Sequence, residues 1–358
     1  MLKLKRNQDT NCLQTSHYLP THNGTDTSIQ PANNVLHTPL VCASAFSGIG
    51  AFEQAIKNLH INHTNAFMID IDTYARKTYL ANHAVNNVYT DITTIEPETL
   101  PNMDLFVFGS PCQSFSTQGK QRGLEDTRGT LIYNGLSIIK TKQPKYFIFE
   151  NVKGPINHDG GKTFEIIQAA FKELNYSIQH TVLNSKHFGL PQNRERLFVV
   201  GIRNDISQTF EFPKPCIAIP CVNDFIEEGE IDSTLLYSGA RSTPRKPNSK
   251  TDIKIIAEFE HITFNTDKRI CSTAGIAPCL RVGGKTHFYD TKNNCFRFLS
   301  VKESAKIQGF GESFIFPVST AQARKQIGNS ISVPVLQAVL KNLLLAQELS
   351  PSVEIQAA

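Results

Sequence analysis

One cysteine of this chain lies where a turn would present it as a nucleophile. Cys112 follows Pro111 and the apolar run 105–108, and polar residues come directly after it. The reactive form of cysteine is the thiolate, so a neighbour has to lower or bypass its ordinary pKa of about 8.5. We therefore interpret Cys112 as a candidate nucleophile rather than as a buried apolar side chain.

Two further segments supply an acid and two cations. Glu150 ends the apolar run 146–149, and a carboxyl group among apolar neighbours tends to hold its proton and to act as a proton donor. Arg194 and Arg196 alternate along an extended segment, a spacing that suits a grip on a phosphate or on a base carbonyl. A solvated acid and a solvated basic face remain the competing interpretations.

A glycine-rich turn and two aspartates predict a binding site for an adenosine-bearing ligand. Phe-Ser-Gly-Ile-Gly at 46–50 joins a strand pattern to a helix pattern, where a ligand can approach backbone N–H groups. Dinucleotide-binding loops need a small residue where this chain has Glu53, which argues against NAD. Asp70 ends the next strand and suits the ribose hydroxyls, and Asp91 suits an adenine amino group. S-adenosylmethionine fits, because it carries ribose and adenine but no phosphate.

Composition sets wide bounds on the class of protein. The 358 residues are 40% hydrophobic and 19% charged, which is typical of one large globular domain or of one domain that carries a smaller one. A net charge of +4 is too mild to indicate a nucleic-acid partner by itself. No apolar run approaches the roughly 18 residues of a membrane span, and no signal peptide follows the basic start. We expect a soluble, intracellular protein.

The cysteine spacing indicates neither a metal site nor a disulfide framework. The 8 cysteines form no Cys-x-x-Cys pair and have no companion histidines at zinc-finger spacing. We expect the thiols other than Cys112 to be small, buried apolar residues.

The alternation of apolar runs with helix patterns over 40–203 predicts a doubly wound α/β sheet. The predicted strands, interpreted as buried and parallel, are residues 41–46, 66–71, 105–108, 146–149 and 197–202. The predicted helices are residues 51–59, 73–82, 301–308 and 335–347. Because parallel strands end at one edge of a sheet, Cys112 and Glu150 are expected at the same edge.

The composition and the hydrophobic pattern change along the chain, which predicts three parts. Residues 1–38 are polar and predict a mobile extension without a core. Residues 39–203 together with 297–350 form the predicted catalytic and cofactor-binding domain. Residues 204–296, with several prolines and short β-like pieces, form a smaller, mostly β or irregular domain.

Six blocks, taken in order, resemble the cytosine-C5 DNA methyltransferases of bacterial restriction-modification systems. They are Phe-Ser-Gly-Ile-Gly at 46–50, Asp70, Pro-Cys-Gln at 111–113, Glu-Asn-Val at 150–152, Gln-Asn-Arg-Glu-Arg at 192–196 and Gly-Asn-Ser at 328–330. The resemblance covers 40–203 and 297–345. Residues 118–130 also look like the mobile catalytic loop of that family.

The resemblance implies methyl transfer from S-adenosylmethionine to C5 of a cytosine within a short specific sequence of duplex DNA. Cys112 would add to C6 while Glu150 gives a proton to N3. Arg196 would hold the base O2, and Arg194 would steady the backbone or the acid. The base must be flipped out of the duplex, which costs a few kcal/mol of unstacking.

The resemblance also implies a cofactor pocket without a metal. Its lining would be Phe46, Gly48, Gly50, Asp70, Ile71, Asp91, Pro111, Leu131, Asn329 and Ser330. Ile71 departs from many relatives, which stack an aromatic ring on the adenine. Residues 204–296 would be the target-recognition domain, where Cys279 falls at a position that relatives commonly fill with a Thr-Leu pair. The expected enzyme is a monomer of the bacterial cytoplasm or nucleoid that acts on double-stranded DNA beside a separate cognate restriction endonuclease.

Three alternatives remain open at the level of sequence. A tRNA cytosine-C5 methyltransferase uses a similar nucleophile and sheet. Incorporation of a labelled methyl group into tRNA rather than into duplex DNA would distinguish it from a DNA enzyme. A non-catalytic DNA-binding relative would be indifferent to the loss of Cys112. A Rossmann oxidoreductase would bind a nicotinamide cofactor, which Glu53 disfavours.

Overall fold

The computed structural model of the chain describes residues 38–111, 131–215, 218–238, 242–246, 252–260, 262, 267–282 and 285–345. Within these residues the strands are β1 Leu40–Ala45, β2 His63–Ile69, β3 Asn87–Tyr89, β4 Leu105–Phe108, β5 Tyr146–Val152, β6 Tyr176–Asn184, β7 Gln192–Asn193, β8 Glu195–Arg203, β9 Ser242–Pro244, β10 Ile255–Phe259, β11 Arg269–Ser272, β12 Ala277–Pro278, β13 His287–Asp290 and β14 Cys295–Arg297. The helices are α1 Ala51–Asn58, α2 Thr73–Asn82, α3 Leu131–Lys142, α4 Gly154–Asn157, α5 Lys162–Lys172, α6 Val301–Gln308, α7 Thr320–Asn329 and α8 Val333–Leu345.

A seven-stranded sheet of order β3-β2-β1-β4-β5-β8-β6 carries the described fold. Strands β1 to β5 are parallel, and the strand order reverses between β1 and β4. In open α/β sheets, ligands bind at the carboxyl ends of the strands beside such a reversal. The doubly wound α/β fold predicted from the sequence is confirmed.

The last predicted strand of this sheet runs the opposite way from the prediction. Strand β8 is antiparallel to both β5 and β6. Only residues 185–194 connect β6 to β8, and a parallel connection needs a crossover of about a dozen residues or more. The prediction of a parallel strand at 197–202 was therefore wrong, and the sheet is mixed.

The central strands bury both of their faces. In β4, Leu105 and Val107 pack into a core with α1 and α8. The alternate residues Phe106 and Phe108 pack into a second core with α3 and α5. Successive side chains of a strand point to opposite faces, so an unbroken apolar run means that helices cover both sides of the sheet.

Side-chain caps set where two of the helices begin. Asp72 accepts hydrogen bonds from the backbone N–H groups of Tyr74 and Ala75 at the start of α2. Ser300 and Glu303 form a reciprocal capping box at the start of α6. Such caps supply partners for the free N–H groups of the first helical turn. The predicted bounds of both helices, 73–82 and 301–308, agree with the structure.

A five-stranded sheet of order β14-β13-β11-β10-β9 lies between residues 242 and 297 and has its own apolar core around Val222, Cys271 and Phe288. A separate pair of short parallel strands joins β12 to β7. That pairing ties residues 277–278 to the segment that precedes Arg194. Among the helices that the structure describes, none has the length and apolarity needed to cross a membrane.

The cysteines only partly follow the expectation of burial. Cys42 and Cys271 are buried, as expected, whereas Cys221, Cys279 and Cys295 are partly exposed, so the expectation was wrong for these three. Cys221, Cys279 and Cys295 lie in turns or at the end of a short strand, whereas Cys271 lies inside β11.

Candidate active site

A cavity of about 440 Å³ opens at the carboxyl ends of the parallel strands. The turns after β1, β2, β3 and β4 line it, together with the carboxyl end of β5 and the end of α7. Its lining includes Phe46, Gly48, Asp70, Ile71, Asp91, Pro111, Leu131, Glu150, Arg194, Arg196, Asn329 and Ser330. The tertiary structure therefore brings together candidates that are almost 300 positions apart in the sequence.

The turn between β1 and α1 is held in an unusual backbone conformation. Phe46 and Gly48 have φ angles of 52° and 57°, in the left-handed region that favours glycine. The Gly48 N–H donates to Asp70 Oδ2 at 2.7 Å. The turn is thereby fastened to the end of β2 beside the cavity.

Gly50 is not part of the described cavity lining. It has a φ of 86° and caps the N-terminus of α1. A Cβ atom at this position would lie 2.3 Å from His83 Cδ2. The glycine thus permits the turn and the close approach of α2, and its predicted contact with a cofactor finds no support in the lining.

The two predicted aspartates differ in their surroundings. Asp70 accepts hydrogen bonds from the N–H groups of Gly48 and Asp72, but burial outweighs them and raises the pKa of its carboxyl. Asp91 is half-buried, and hydrogen bonds from Thr93 lower the pKa of its carboxyl. Both line the cavity, but Asp91 also has the ordinary role of a cap for the turn that follows it. Ile71, with 72% of its surface exposed, offers an open apolar face at the mouth.

Glu150 lies in the cavity wall, inside β5 rather than after it. Its Oε1 is 3.2 Å from Arg196 Nε, and a Cβ atom on Gly109 would lie 3.2 Å from its Oε2. Burial raises the pKa of this carboxyl, and the charges of Arg196 and Arg194 act against that rise. The acid is thus placed at the end of β4 in an environment that favours its protonated form.

Pro111, at the end of this turn, is the last described residue before the predicted nucleophile. The Asn151 side-chain amide donates to the Ser110 carbonyl at 3.1 Å, which fixes the turn against β5. Cys112, like the loop 118–130, lies outside the described residues. Its predicted role is therefore argued from the sequence and from where Pro111 lies.

Arg194 is a buried cross-link rather than a free cation. Its guanidinium donates to the carbonyls of Leu280, Gly328 and Ser330 at 3.1, 3.1 and 2.6 Å. Burial lowers its pKa to about 10. It also donates to Cys279 Sγ at 3.3 Å. These contacts connect the segment before β8 with residues 279–280 and with the end of α7, so Arg194 steadies backbone from three parts of the chain.

Sequence reasoning missed several residues of the cavity wall, among them three with polar side chains that interact across the site. Asp72, Lys325 and Gln326 also line the cavity. Lys325 Nζ is 2.8 Å from Asp72 Oδ2, and the Thr78 hydroxyl donates to Gln326 Oε1 at 3.0 Å. The sequence signal that could have indicated Lys325 and Gln326 as site residues is their position just before the Gly-Asn-Ser block at 328–330.

The fold and this site define a class of protein. An open α/β sheet presents a cavity lined by aspartates, a buried acid and two arginines at one edge, and these are parts suited to a group-transfer enzyme. No group of His, Cys, Asp or Glu side chains that could hold a metal ion occurs among the described residues.

Comparison with known proteins identifies the family. Residues 40–345 match the profile of the C-5 cytosine-specific DNA methylases. The chain therefore belongs to that family, whose members are DNA (cytosine-5-)-methyltransferases. The family predicted from the six sequence blocks is confirmed.

Individual relatives agree with this membership. The Type II methyltransferase M1.ScrFI of Lactococcus lactis subsp. cremoris is 37% identical over 318 residues, which cover 85% of this chain and 78% of the relative. The orphan methyltransferase M.SPRI of Bacillus phage SPR is 48% identical over 171 residues, which cover 47% of this chain and 39% of the relative. The solved structure of the Entamoeba histolytica methyltransferase EhMeth matches with a TM-score of 0.67 at 18% identity, over 87% of this chain and 99% of that one, and shows the shared fold.

Proposed function

We propose that this enzyme transfers a methyl group from S-adenosylmethionine to C5 of a cytosine flipped out of a short specific sequence in duplex DNA. The observation that carries the proposal is the position of Glu150. It is a buried acid beside Arg196, and it shares one cavity with the Gly48 and Asp70 turn and with Pro111, which precedes Cys112.

The lining of the cavity fits S-adenosylmethionine better than a phosphate-bearing cofactor. Asp70 and Asp91 line the cavity, and their carboxylates would repel a pyrophosphate, whereas the charge of Asp72 is offset by Lys325. The carboxylates of Asp70 and Asp91 are compatible with a ligand that carries a positive sulfonium. Phe46, Gly48, Asp70, Ile71 and Asp91 would hold the adenosine. Pro111, Leu131, Asn329 and Ser330 would line the rest of the ligand, which supplies an electrophilic methyl group when it is bound.

The residues of the chain would then activate the cytosine. Cytosine C5 is a poor nucleophile until the aromatic ring is disrupted. The Cys112 sulfur would form a bond to C6, and the Glu150 carboxyl would give its proton to N3, which makes C5 electron-rich. Loss of the C5 proton to solvent after methylation would expel the cysteine as a thiolate, and the proton on N3 would return to Glu150. Arg196 would hold the base O2 while its Nε stays on the acid.

The remaining parts follow from the same proposal. Residues 39–203 with 297–350 would be the catalytic part, residues 204–296 would contact the DNA, and residues 1–38 would be an extension. The enzyme would act as a monomer. The relatives are named as bacterial and phage enzymes, which supports action in the bacterial cytoplasm or nucleoid. A Type II and an orphan methyltransferase are both among them, so the proposed restriction endonuclease partner needs its own test.

The proposed function is tested by methylation of unmethylated plasmid DNA with purified protein and S-adenosylmethionine, read by bisulfite sequencing. Dense 5-methylcytosine at one short motif is the expected result. A parallel reaction would use S-adenosylmethionine with a labelled methyl group. Incorporation of that label into tRNA but not into DNA would overturn the proposed substrate. Protection of the methylated motif from cleavage in an extract of the source cells would support the restriction-modification role, and no cleavage of the unmethylated motif would count against it.

The cysteine mechanism is tested by Cys112→Ala, with Cys295→Ala as the matched control. Cys295 is a partly exposed thiol in β14, and it is not among the residues that line the cavity. We expect methylation to be lost in the first variant and kept in the second. Equal methylation by Cys112→Ala and the unaltered enzyme would exclude the covalent adduct.

A further inference from the structure

Three polar side chains with almost no exposed surface lie between the cavity and residues 277–280, which belong to the part proposed to contact DNA. Gln192 and Gln308 are completely buried, and Arg194 has 2% of its surface exposed. Burial of a polar group costs free energy unless its donors and acceptors find partners. The partners of these three side chains therefore show which parts of the chain are fastened to each other.

The Gln192 amide joins Leu280 to the end of α6. Its Oε1 accepts a hydrogen bond from the Leu280 backbone N–H at 3.0 Å. Its Nε2 donates to Gln308 Oε1 at 2.8 Å and to the Ile307 carbonyl at 3.3 Å. The backbone of the same residue pairs with Ala277 where β7 meets β12. Gln192 thus fastens residues 277–280 through both its backbone and its side chain.

The network meets the cavity at the Ser330 carbonyl. This carbonyl accepts hydrogen bonds from Gln308 Nε2 and from the Arg194 guanidinium, both at 2.6 Å. Arg194 also donates to the Leu280 carbonyl at 3.1 Å. Both backbone polar groups of Leu280 are therefore bound to side chains that reach Ser330, either directly or through Gln308. Ser330 itself lines the cavity.

Directly after this network the chain reaches the surface. The Arg281 side chain is 38% exposed, and Val282 is 48% exposed. The backbone of these residues packs closely on the end of α7, because a Cβ atom on Gly328 would lie 2.7 Å from the Arg281 carbonyl carbon. A ligand that restrains residues 281–282 therefore also restrains Leu280 and, through the network, Ser330.

We propose that Gln192 and Gln308 are positioning residues that, together with Arg194, couple the binding of duplex DNA to the binding of the cofactor. The inference rests on the proposed function, in which S-adenosylmethionine binds in the cavity and DNA contacts residues 204–296. DNA bound at 281–282 fixes the Ser330 backbone in advance. The cofactor then loses less free energy in ordering its own wall, so its affinity rises.

Coupling differs from simple structural support in what it changes. A cross-link that only stabilises the fold alters the affinity for each ligand by itself or leaves it unchanged. Coupling sets how far one ligand alters the affinity for the other, and by thermodynamic linkage the two ligands change each other's affinity by the same factor. The factor measured with either ligand therefore checks the factor measured with the other.

The test measures the dissociation constant of S-adenosylhomocysteine with and without a duplex oligonucleotide that carries the methylated motif. This product of methyl transfer has no methyl group to give, so the complex with DNA does not react. Calorimetric titration of the full-length protein yields both constants. We expect DNA to lower the dissociation constant about 10-fold in the unaltered protein, a size typical of coupling between two sites.

Gln308→Met removes the amide that reaches Ser330 but keeps a similar side-chain volume. We expect the effect of DNA on the dissociation constant to fall from about 10-fold to about 3-fold or less, the loss expected for one hydrogen bond. Gln192→Met should lower it to the same extent. Because the two amides lie in series between Leu280 and Ser330, the double variant should lose no more than either single variant.

Gln208→Met is the matched control. Gln208 is a half-buried glutamine that donates to the Leu343 carbonyl and accepts from the Tyr146 hydroxyl, and it is not among the residues that line the cavity. This variant loses similar hydrogen bonds but should keep the full effect of DNA. Gln308→Asn, whose amide is too short to reach Ser330, takes the place of Gln308→Met if that variant does not fold.

The outcomes separate the coupling from the proposed function. An undiminished effect of DNA in both glutamine variants would overturn the coupling alone. So would an equal loss in Gln208→Met, or an unaltered protein that methylates DNA but binds S-adenosylhomocysteine equally well with and without it. Absence of any binding of S-adenosylhomocysteine by the unaltered protein would instead overturn the proposed cofactor.

Discussion

Two buried pairings of arginine with carboxylate, one in each sheet region, show how similar residues serve different ends. At the cavity, Glu150 has one contact with Arg196, at 3.2 Å. In the five-stranded sheet, Arg297 of β14 is held between Asp290 of β13 at 3.3 Å and Glu303 of α6 at 2.5 Å. All three members of the second group are almost completely buried.

The difference lies in how far hydrogen bonds compensate burial. Burial raises the pKa of Glu150, and two nearby arginines do not reverse the shift. Burial acts on Asp290 in the same direction, but bonds from Asn293 and Lys292 and the charge of Arg297 outweigh it, and the pKa is lowered. An acid with few partners is able to hold a proton, whereas a fully bonded carboxylate stays charged and acts as a cross-link.

The largest expected effect is that of Glu150→Gln on the rate of methylation. The amide keeps the shape of the acid but cannot give up a proton, so kcat should fall by about 10²- to 10⁴-fold, the usual contribution of a general acid. Single-turnover methylation of the plasmid motif measures this rate. Glu303→Gln is the control from the other group, and we expect it to keep the rate of each folded molecule. A rate above one tenth of normal in Glu150→Gln would remove the acid from the mechanism.

Arg297→Met should act on stability rather than on the chemistry. It leaves Asp290 and Glu303 buried without their cation, which costs about 3–5 kcal/mol of unfolding free energy. Urea unfolding measures the loss. The control is Arg245→Met, because Arg245 is exposed and its contact with Glu258, at 3.2 Å, is worth about 0–1 kcal/mol. Equal losses in the two variants would contradict the structural role of the buried group.

The two groups should respond to pH in opposite directions. The pKa of Glu150 is raised, so the protonated acid is present below that pKa and activity falls as the pH rises through it. The pKa of Asp290 is lowered, so its contribution to stability is present above its unfolded value of about 3.9 and is lost as the pH falls through the folded value. The rate of methylation across pH measures the effect of Glu150, and thermal unfolding across pH measures the effect of Asp290. The fall in rate at high pH should disappear in Glu150→Gln. If the fall persists in that variant, another group causes it.

The smallest expected effect concerns the ion pair at the mouth of the cavity. Lys325 is 2.8 Å from Asp72 but is 43% exposed. Exposed pairs are worth about 0–1 kcal/mol, so Lys325→Met should weaken cofactor binding by no more than about 5-fold. Lys145→Met is the control, since Lys145 forms a similar exposed pair with Asp104, and neither of these residues lines the cavity. A loss of more than 100-fold would mean that Lys325 contacts the ligand directly.

Sequence patterns predicted most of the sheet because they depend on local properties. Unbroken apolar runs located β4 and β5, and the helix pattern at 73–82 located α2 to the residue. Strand β6 was missed, because it is an edge strand whose polar and apolar residues alternate and whose pairing is only with β8. The direction of β8 was also wrong, since periodicity shows that a segment is extended but not which neighbour it pairs with.

The candidate site was predicted as a set of residues but not as an arrangement. The sequence by itself determined the family, the residue types at the strand ends and the doubly wound sheet, because motifs and periodicity are written in consecutive positions. Only the tertiary structure decided that Arg194 is a buried cross-link, that Gly50 packs against His83, that Lys325 reaches Asp72 and that Glu53 is buried against Ser44. Each of these depends on distance through space and on loss of solvent, and those are set by packing between segments that are far apart in the chain.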